Sequence, residues 1–449
     1  MNKDASKDMS LSEFSARVLE AAAQAGIAPA EIFSNSSETF SVRVRGGKLE
    51  DYKVSDRFSL TLRGRVGERI GTTSTQALDE ESVQLLVAGV RESAELIETD
   101  EQDDILPPDP AYSAVCNYSE ALDDVSAGDK IALAMEIDKR LSAADARIQP
   151  DATVVASSGE ETILRNSLGL NLSHRSNMIY AYASCLVKEG AQAATGFKLL
   201  WGYSPEDVKP WDVADGCAKD ALEKLGAVRM ASGAYPVVIR NNAMADLLST
   251  FCGVFSADNA QKGLSLLSGK EGETIASPLV TITDDPLMPW GLGSSPFDRE
   301  GAATEKKHVV EGGVLKTLLH NRKTAKKAGT KTTGNAAGAG RIAPSNLFIA
   351  PGDQPLSALV ASAGDGLLVT EVSGLHAGAN PVSGDFSLLA RGFEICGGEI
   401  RRAVEQITVA GNFYQLLRDV TAVGDDLLFE GSPVGCPSVA VRLLNIAGE

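Results

Sequence analysis

The residues that could carry chemistry in this sequence are few and scattered. The four histidines, His174, His308, His320 and His376, lie far apart, and no two of them form a paired ligand motif. A zinc protease helix needs two imidazoles and a carboxylate on adjacent turns, because the metal takes neutral nitrogen donors and the carboxylate must reach the bound water. No segment meets that requirement, and no serine lies in a GxSxG or SxxK motif with a suitable partner. On these residues alone, a free-standing hydrolase is poorly supported.

One glycine-rich stretch, residues 373–393 (SGLHAGANPVSGDFSLLARGF), has the composition of an active-site lip. It carries His376 and Asp385 among too many small polar residues for a core segment. Three roles are open for His376: a loop histidine bonded to backbone or facing solvent, a metal ligand, or a contact to substrate or to another subunit. We treat His376 and Asp385 as candidate substrate or partner contacts.

A second candidate region is a basic stretch between Lys306 and Arg341, where nine Lys and Arg residues face one acid, Glu311. It reverses the sign of a chain whose formal net charge is −18. The stretch is either a solvated helix face or a docking surface for an acidic partner or a peptide carboxylate. The candidate contacts are Arg322, Lys323, Lys326 and Lys327. The Gly-rich run at 329–341 lacks the Gly-Lys-Ser/Thr ending of a phosphate loop, which favours a mobile loop or strand turn.

Composition excludes several function classes. The net charge of −18 repels phosphate backbones and anionic membranes, so we expect no direct nucleic-acid partner and no membrane partner. No window approaches the roughly 18–20 apolar residues that span a bilayer, and the first residues lack the apolar stretch of a signal peptide, which predicts a cytoplasmic protein. The six cysteines form no CxxC pair, which indicates buried, reduced thiols.

The elements that must position these residues follow an α+β pattern. A capping box at Ser10 and Glu13 opens a helix, period-two alternation follows through residues 40–62, and a second helix covers about 79–97. The pattern then repeats in kind, with helices near 129–141 and 214–225 around strand-like runs. From about residue 231, glycine-punctuated strands dominate, including one expected over 284–296. We therefore predict an N-terminal half of antiparallel strands with covering helices and a C-terminal domain of mostly antiparallel β structure.

Domain boundaries follow from shifts in composition. A chain of 449 residues exceeds the size at which one core keeps growing. Residues 99–110 (TDEQDDILPPDP) combine acids and prolines, which disfavours helix and central strand and indicates a linker. The predicted units are an N-terminal α+β subdomain at 1–105, a central α+β subdomain at 112–230 and a C-terminal β-rich domain at 231–449.

Several ordered segments resemble the TldD/PmbA family, long labelled modulators of DNA gyrase. They include SGAYPVVI, SPFDREGAATEKKHVVEGGVLK, AKKAGTKTTGNA, VSGDFSLLARGFEICGGEI and CPSVAVRLLNIAG, with SVRVRGGKLEDYKVSDRFSLTLRGRVGERIG near the start. The resemblance covers nearly the whole chain. It implies one of two branches, which pair to form a cytosolic metallopeptidase. The TldD branch carries HExxxH at the start of its C-terminal domain and a later cysteine ligand, whereas the PmbA branch, also called TldE, lacks them.

Within this resemblance, the metal-site window falls at about residues 248–253, which read LSTFCG. Leu248 and Gly253 stand where the two imidazoles belong, and Ser249 stands where the catalytic glutamate belongs. The position matched to the ligand cysteine of the other branch falls near Leu428 and Phe429, and Cys436 lies outside that position. The resemblance therefore implies no metal, no cofactor and no catalytic residue in this chain, and places the residue 373–393 stretch in the common scaffold.

The function implied is that of a PmbA/TldE-like subunit without metal, which shapes a peptide channel and supports a TldD-like catalytic partner in the proteolysis of peptide or unfolded polypeptide. The alternative is a homodimeric regulatory or peptide-binding protein without proteolytic activity. The peptide substrate and the choice between homodimer and heterodimer do not follow from the sequence.

Overall fold

The first half of the chain repeats one pattern of helix, three antiparallel strands and helix. The computed structural model describes residues 9–97 and 104–449. The first repeat comprises α1 (Leu11–Gln24), β1 (Ala30–Arg45), β2 (Lys48–Val66), β3 (Arg69–Thr75) and α2 (Glu80–Glu95). After a short helix, α3 (Glu120–Asp123), the second comprises α4 (Ala127–Ala144), β4 (Ile148–Asn166), β5 (Asn171–Glu189), β6 (Gln192–Gly202) and α5 (Pro210–Glu223), with a 3₁₀ turn at Pro205–Asp207.

The two repeats share one six-stranded antiparallel sheet in the order β3-β2-β1-β4-β5-β6. The central pair, β1 with β4, runs from Glu31 opposite Asn166 to Val44 opposite Thr153. This register relates the repeats by an approximate two-fold axis between the two strands. The ranges 1–105 and 112–230 therefore contribute to one sheet, and the division of the chain at these boundaries remains a proposal.

The four long helices cover one face of this sheet. Alternate β1 residues, Phe40, Val42 and Val44, are buried on that face against the α4 and α5 side of the core. At the other end of β1, Ile32 packs with α1 and α2 residues around Phe14. The predicted capping box is present at α1, since the Glu13 amide donates to the Ser10 hydroxyl and Glu13 accepts from the Ser10 amide.

The chain between the repeats bridges to the C-terminal half. Residues 99–103 of the predicted linker lie outside the described residues. From Asp104 to Pro110 the chain has no helix or strand, and Asp104 forms ion pairs with Arg65 at 2.9 Å and with Lys326 at 3.3 Å.

The C-terminal half contains two further sheets and short helices. Its helices are α6 (Asn241–Phe251), α7 (Ala257–Gln261), α8 (Arg322–Ala328), α9 (Leu356–Ala363), α10 (Leu375–Gly378) and α11 (Phe413–Arg418), with a 3₁₀ turn at Cys252–Phe255. Its strands are β7 (Gly233–Ile239), β8 (Ile282–Asp284), β9 (Lys307–Glu311), β10 (Val314–Leu315), β11 (Leu347–Ile349), β12 (Gly366–Ser373), β13 (Asp385–Cys396), β14 (Glu399–Asn412), β15 (Val420–Val423), β16 (Val434–Gly435) and β17 (Val439–Ala447).

One of these sheets has the order β14-β13-β12-β7-β17-β15, and β14 also pairs with β17, so five of its strands close into a ring. The other has the order β10-β9-β8-β11-β16. The β12–β7 and β11–β16 pairs are parallel, and the remaining pairs in both sheets are antiparallel. The predicted α+β class, with mostly antiparallel strands in the C-terminal half, is confirmed.

Two sequence-based expectations are wrong. Of residues 284–296, only Asp284 belongs to a strand, as the last residue of β8, and the rest form turns and loops, because the Leu287 amide donates to the Asp285 carboxylate and three prolines remove backbone donors. The thiols are buried only at Cys185, Cys217 and Cys436, whereas Cys252 and Cys396 are half-buried and Cys116 is exposed. Across residues 9–97 and 104–449, no helix combines the length and apolar character needed to cross a membrane.

Candidate functional site

The window matched to the metal site lies at the end of α6. This helix buries residues at helical spacing, namely Ala243, Met244, Leu247, Leu248 and Phe251, so one face belongs to the main core of the C-terminal half. Leu248 is completely buried. Phe251 stacks on Phe413, with ring centroids 4.7 Å apart. The first position of the window is therefore an apolar packing position.

The other two window positions also lack ligand chemistry. Ser249 is exposed, one residue along from the buried Leu248. Gly253 lies in the 3₁₀ turn, where the Asn259 amide donates to its carbonyl at 2.8 Å, and a Cβ at Gly253 would lie 3.3 Å from that amide nitrogen. An imidazole at 253 would need Asn259 to move. Burial raises the pKa of the Cys252 thiol, which disfavours the thiolate that binds metals.

The segment matched to the ligand cysteine runs beside α6. Asn241, at the start of α6, donates to the Asp426 carbonyl at 2.9 Å, and Leu428 forms a backbone bridge with Cys436. The Phe429 carbonyl accepts from Trp201 of β6 at 2.7 Å. The fold thus brings together the two segments that would carry the ligands, although neither carries one here.

The side chains of the window are poor ligands for a divalent metal. Leucine, glycine and phenylalanine side chains offer no donor, and serine is a poor one for zinc. Within the described parts of the chain, no group of three or more His, Cys, Asp or Glu side chains is arranged to bind a metal ion. Cys436 is fully buried, and burial raises the pKa of its thiol further above its ordinary value. The residues present do not fit a catalytic zinc site.

The helix that carries the window, α6, also carries an acidic residue, Asp246. Partial desolvation, together with the negative charges of Glu430 and Glu371, raises the pKa of Asp246 on α6 to about 6. Sequence reasoning missed Asp246, because Glu371 and Glu430 are distant from it along the chain.

The raised pKa of Asp246 predicts a pH-dependent stability. Its ordinary pKa is 3.8, so the folded state binds the proton more tightly, and stability increases as pH falls from above 6 towards 4. We expect Asp246→Asn to stabilise the protein at pH 7–8 by no more than about 1 kcal/mol, because the side chain is exposed and solvent screens the charges. Urea titrations of wild type and variant between pH 4 and 8 measure this effect.

Asp353→Asn, which changes an exposed loop aspartate in the same half, is the matched control. The interpretation of Asp246 is refuted if Asp246→Asn gains no more at pH 8 than this control, or if its gain is the same at pH 4.

The two candidate contacts in the 373–393 stretch are both exposed. His376 lies on the short helix α10, and Asp385 begins β13. The Asn412 amide donates to the Asp385 carboxylate at 2.9 Å, and this hydrogen bond, with one from Ser383, lowers the pKa of Asp385. The Asn380 amide donates to the Asp385 carbonyl at 2.8 Å and closes the loop. Asp385 is therefore a fixed anion at the rim of the ring of strands.

The basic stretch is largely compensated within the chain. Lys307 pairs with Asp284, Lys306 with Asp285 and Lys316 with Glu311, at 3.0, 3.0 and 3.3 Å. The acids at 284 and 285 lie more than 20 residues before the stretch in sequence, so counting charges within it missed them.

Of the four candidate basic residues, all on α8, two have evident roles within the chain. Burial raises the pKa of the carboxyls Glu31 and Asp298, and the nearby positive charge of Arg322 opposes that rise. Lys326 pairs with Asp104. Lys323 also has an intramolecular contact. Lys323, Lys326 and Lys327 are exposed, and α8 and the chain near Asp104 border a groove of about 710 Å³.

The Gly-rich run at 329–341 is a fixed loop against buried acids. The Ala336 amide donates to Asp298 at 3.0 Å, and the Asn335 side chain donates to Asp284 at 2.8 Å. A backbone donor that a phosphate would need is thus already bound to a carboxylate, which argues against a phosphate loop.

Besides the groove beside α8, a cavity of about 360 Å³ lies between the N-terminal sheet and the C-terminal half. His174 lines it from β5 and lies 3.2 Å from the Ser294 carbonyl, while burial lowers the pKa of its imidazole. Arg299 lies over the Phe33 ring, 4.2 Å from its centroid, and 3.9 Å from Glu160. No sequence signal pointed to this cavity, because it exists only where the two halves pack.

Comparisons with known proteins match nearly the whole length of the chain. Three family models match: PmbA/TldA metallopeptidase domain 1 at 30–94, the central domain at 120–227 and the C-terminal domain at 232–448. The metalloprotease PmbA homolog of Haemophilus influenzae is 28% identical over 445 residues, covering 96% of this chain and 94% of that protein. The metalloprotease PmbA of Escherichia coli O157:H7 is 26% identical, covering 94% and 92%.

Solved structures of similar fold also cover the chain. A putative modulator of DNA gyrase from Thermotoga maritima superposes with a TM-score of 0.92 and 33% identity, covering 98% of this chain and all of that one. TldE from Thermococcus kodakarensis superposes with a TM-score of 0.89 and covers 97% and 100%, at 22% identity, a likeness of fold.

Proposed function

This chain belongs to the PmbA/TldD family, and we propose that it is the metal-free subunit of a cytoplasmic TldD/TldE-type peptidase complex. In this proposal a TldD-like partner supplies the metal, the general base and hydrolysis. This chain shapes the channel in which an extended peptide or unfolded polypeptide lies, and it stabilises the active partner.

The observation that carries this proposal is the packing of α6. Leu248, at the position matched to a histidine of the TldD branch, is completely buried in the core, and Gly253 is in a turn held by Asn259. A zinc protease needs three protein ligands and an open position for water. Because the first of these positions in α6 is a core leucine, we infer that α6 stabilises the fold of this chain and does not bind a metal.

We propose two contact regions on this chain. The first is the loop with His376 and Asp385, where a fixed exposed carboxylate can bind a peptide N–H or a basic side chain. The second is the exposed side of α8 and the loop after it, represented by Lys327 and Lys331. Arg322 and Lys326 contribute less to recognition, because Arg322 already interacts with Glu31 and Asp298 and Lys326 is paired with Asp104.

Capture of a TldD-like chain from native extract by the tagged protein tests the proposal. With that chain purified, we expect Lys327→Glu/Lys331→Glu to slow association several-fold and to flatten its dependence on salt, because steering by exposed charges is screened above physiological ionic strength. Stopped-flow mixing over a salt series measures both quantities.

The charge-matched control is Lys188→Glu/Lys209→Glu, which changes two exposed lysines on the N-terminal half by the same net charge. Equal rates for the two double variants would remove α8 from the contact surface. Recovery of this chain alone, with no TldD-like chain, would reject the subunit role in favour of the homodimeric alternative.

A further inference from the structure

The two ends of the N-terminal sheet differ in how well the unpaired part of the second strand from the end is covered. β3 covers only the end of β2, from Leu60 to Val66, so in the described structure residues 48–59 of β2 pair with β1 alone. In the second repeat, β6 likewise leaves residues 171–178 of β5 uncovered. That edge is shielded, because the Asn177 amide donates to the Asn117 carbonyl and His174 contacts Ser294. The matching edge of β2 has no such cover among the described residues.

The uncovered part of β2 exposes apolar side chains on one face. Leu49, Tyr52 and Val54 are 52%, 47% and 58% exposed. They lie opposite Val44, Val42 and Phe40 of β1, respectively, and so share the helix-covered face of the sheet. Phe40 and Tyr52 pack edge to face, with centroids 5.4 Å apart. The apolar surface therefore extends from the buried core to the unpaired edge of β2. An unpaired edge of this kind can pair with another strand.

The other face of the same strand is charged. Asp51 and Lys53 lie there, opposite Arg43 and Ser41, and pair with each other at 2.7 Å. A strand edge that carries charge of one sign repels a copy of itself. Here the two signs lie two residues apart on one face, so an antiparallel copy can place each beside its opposite.

We propose that the edge of β2 at residues 48–56 pairs antiparallel with the same edge of a second copy of this chain, on a two-fold axis at Tyr52. In such a pair each residue opposes one that lies on the same face, so the axis must pass between a residue and its own copy. An axis at Asp51 or at Lys53 brings like charges together. An axis at Val54 leaves Lys53 opposite Ser55.

An axis at Tyr52 gives favourable contacts on both faces of the strand pair. Asp51 of each copy lies opposite Lys53 of the other, which makes two ion pairs. On the apolar face, Tyr52 lies opposite Tyr52. Glu50 is the extra residue of a β-bulge, because Asp51 pairs with Arg43 and Leu49 with Val44. The bulge brings Leu49 onto the apolar face opposite Val54 of the second copy.

Charge exchange tests this register on the isolated chain. Asp51→Lys places two lysines on each copy, and Lys53→Glu places two acids, so each variant alone should dimerise with a Kd about tenfold higher or more. An equimolar mixture of the two variants should form a dimer of wild-type affinity, as should the double variant Asp51→Lys/Lys53→Glu. Sedimentation velocity over a concentration series, with fluorescently labelled chains in the mixture, measures each Kd.

Lys188→Glu, at the β5–β6 hairpin of the second repeat and away from the proposed edge, is the control and should dimerise as wild type does. Thermal midpoints establish that all variants are folded. A wild-type chain that is monomeric over the whole series overturns the inference, and so do single variants that dimerise with unchanged Kd or a mixture that fails to recover. None of these outcomes depends on whether a TldD-like partner binds.

Discussion

Replacing Lys307 by methionine should lower the free energy of unfolding by about 3–5 kcal/mol, which is the range for breaking a buried ion pair from one side. Asp284 is completely buried and Lys307 nearly so, and their charged groups are 3.0 Å apart. Asp284 also accepts hydrogen bonds from Asn335 at 2.8 Å and from the Ser345 amide at 2.7 Å. Methionine matches the lysine in length but leaves the carboxylate without its counter-charge. Urea unfolding followed by circular dichroism measures the loss.

Lys316→Met is the matched control, because Lys316 pairs with Glu311 at 3.3 Å where both side chains are about half exposed. We expect it to change stability by less than about 1 kcal/mol. The double variant Lys307→Met/Asp284→Asn should recover part of the lost stability, because it removes the unpaired negative charge of Asp284. A loss for Lys307→Met no larger than that of Lys316→Met would show that the pair contributes little.

The Lys307–Asp284 pair also explains why the basic stretch was hard to interpret from sequence. Counting charges between residues 306 and 341 gives a strongly basic segment, but two of its lysines pair with acids at the end of β8. Those acids precede the stretch by more than 20 residues and meet it because β8 and β9 are antiparallel neighbours. The sum of charges along a segment does not report such pairing across a sheet.

Local periodicity did predict the repeated α/β pattern of the first half. Period-two alternation over residues 40–44 and the capping box at Ser10 are local signals, and both are realised in the structure. The pairing of β1 with β4 is a long-range contact that neither repeat encodes by itself. For the same reason the free edge of β2 could not be predicted, because it depends on how far β3 extends along its neighbour.

The candidate site was predictable only in part. Aligning family motifs located the window at residues 248–253, and the structure places Leu248 in the core of α6. The proximity of Asp246 to Glu430 and the cavity lined by His174 and Arg299 arise from tertiary packing. Motif spacing along the chain carries no information about such neighbours, which are distant in sequence.

The isolated chain should contain far less than one zinc per molecule and should not cleave unfolded peptides, whereas cleavage should appear when a TldD-like partner is added. The expected difference is large, because a metal-activated water supplies several kcal/mol of transition-state stabilisation that no group at residues 248–253 can replace. Elemental analysis after dialysis measures the metal. Casein-like substrate, with and without a chelator, measures cleavage.

Two variants make this prediction decisive. If the purified chain retains about one metal ion, loss of that ion in Cys252→Ser or His376→Ala would locate a site that the geometry of α6 does not suggest, and the subunit assignment would be wrong. If the chain alone cleaves peptide and a chelator stops it, hydrolysis belongs to this chain, and the buried Leu248 does not mark a lost site. If cleavage requires the partner and is abolished by chelation of the mixture, the metal acts in the partner, and the core packing of Leu248 is the structural reason that this chain cannot supply it.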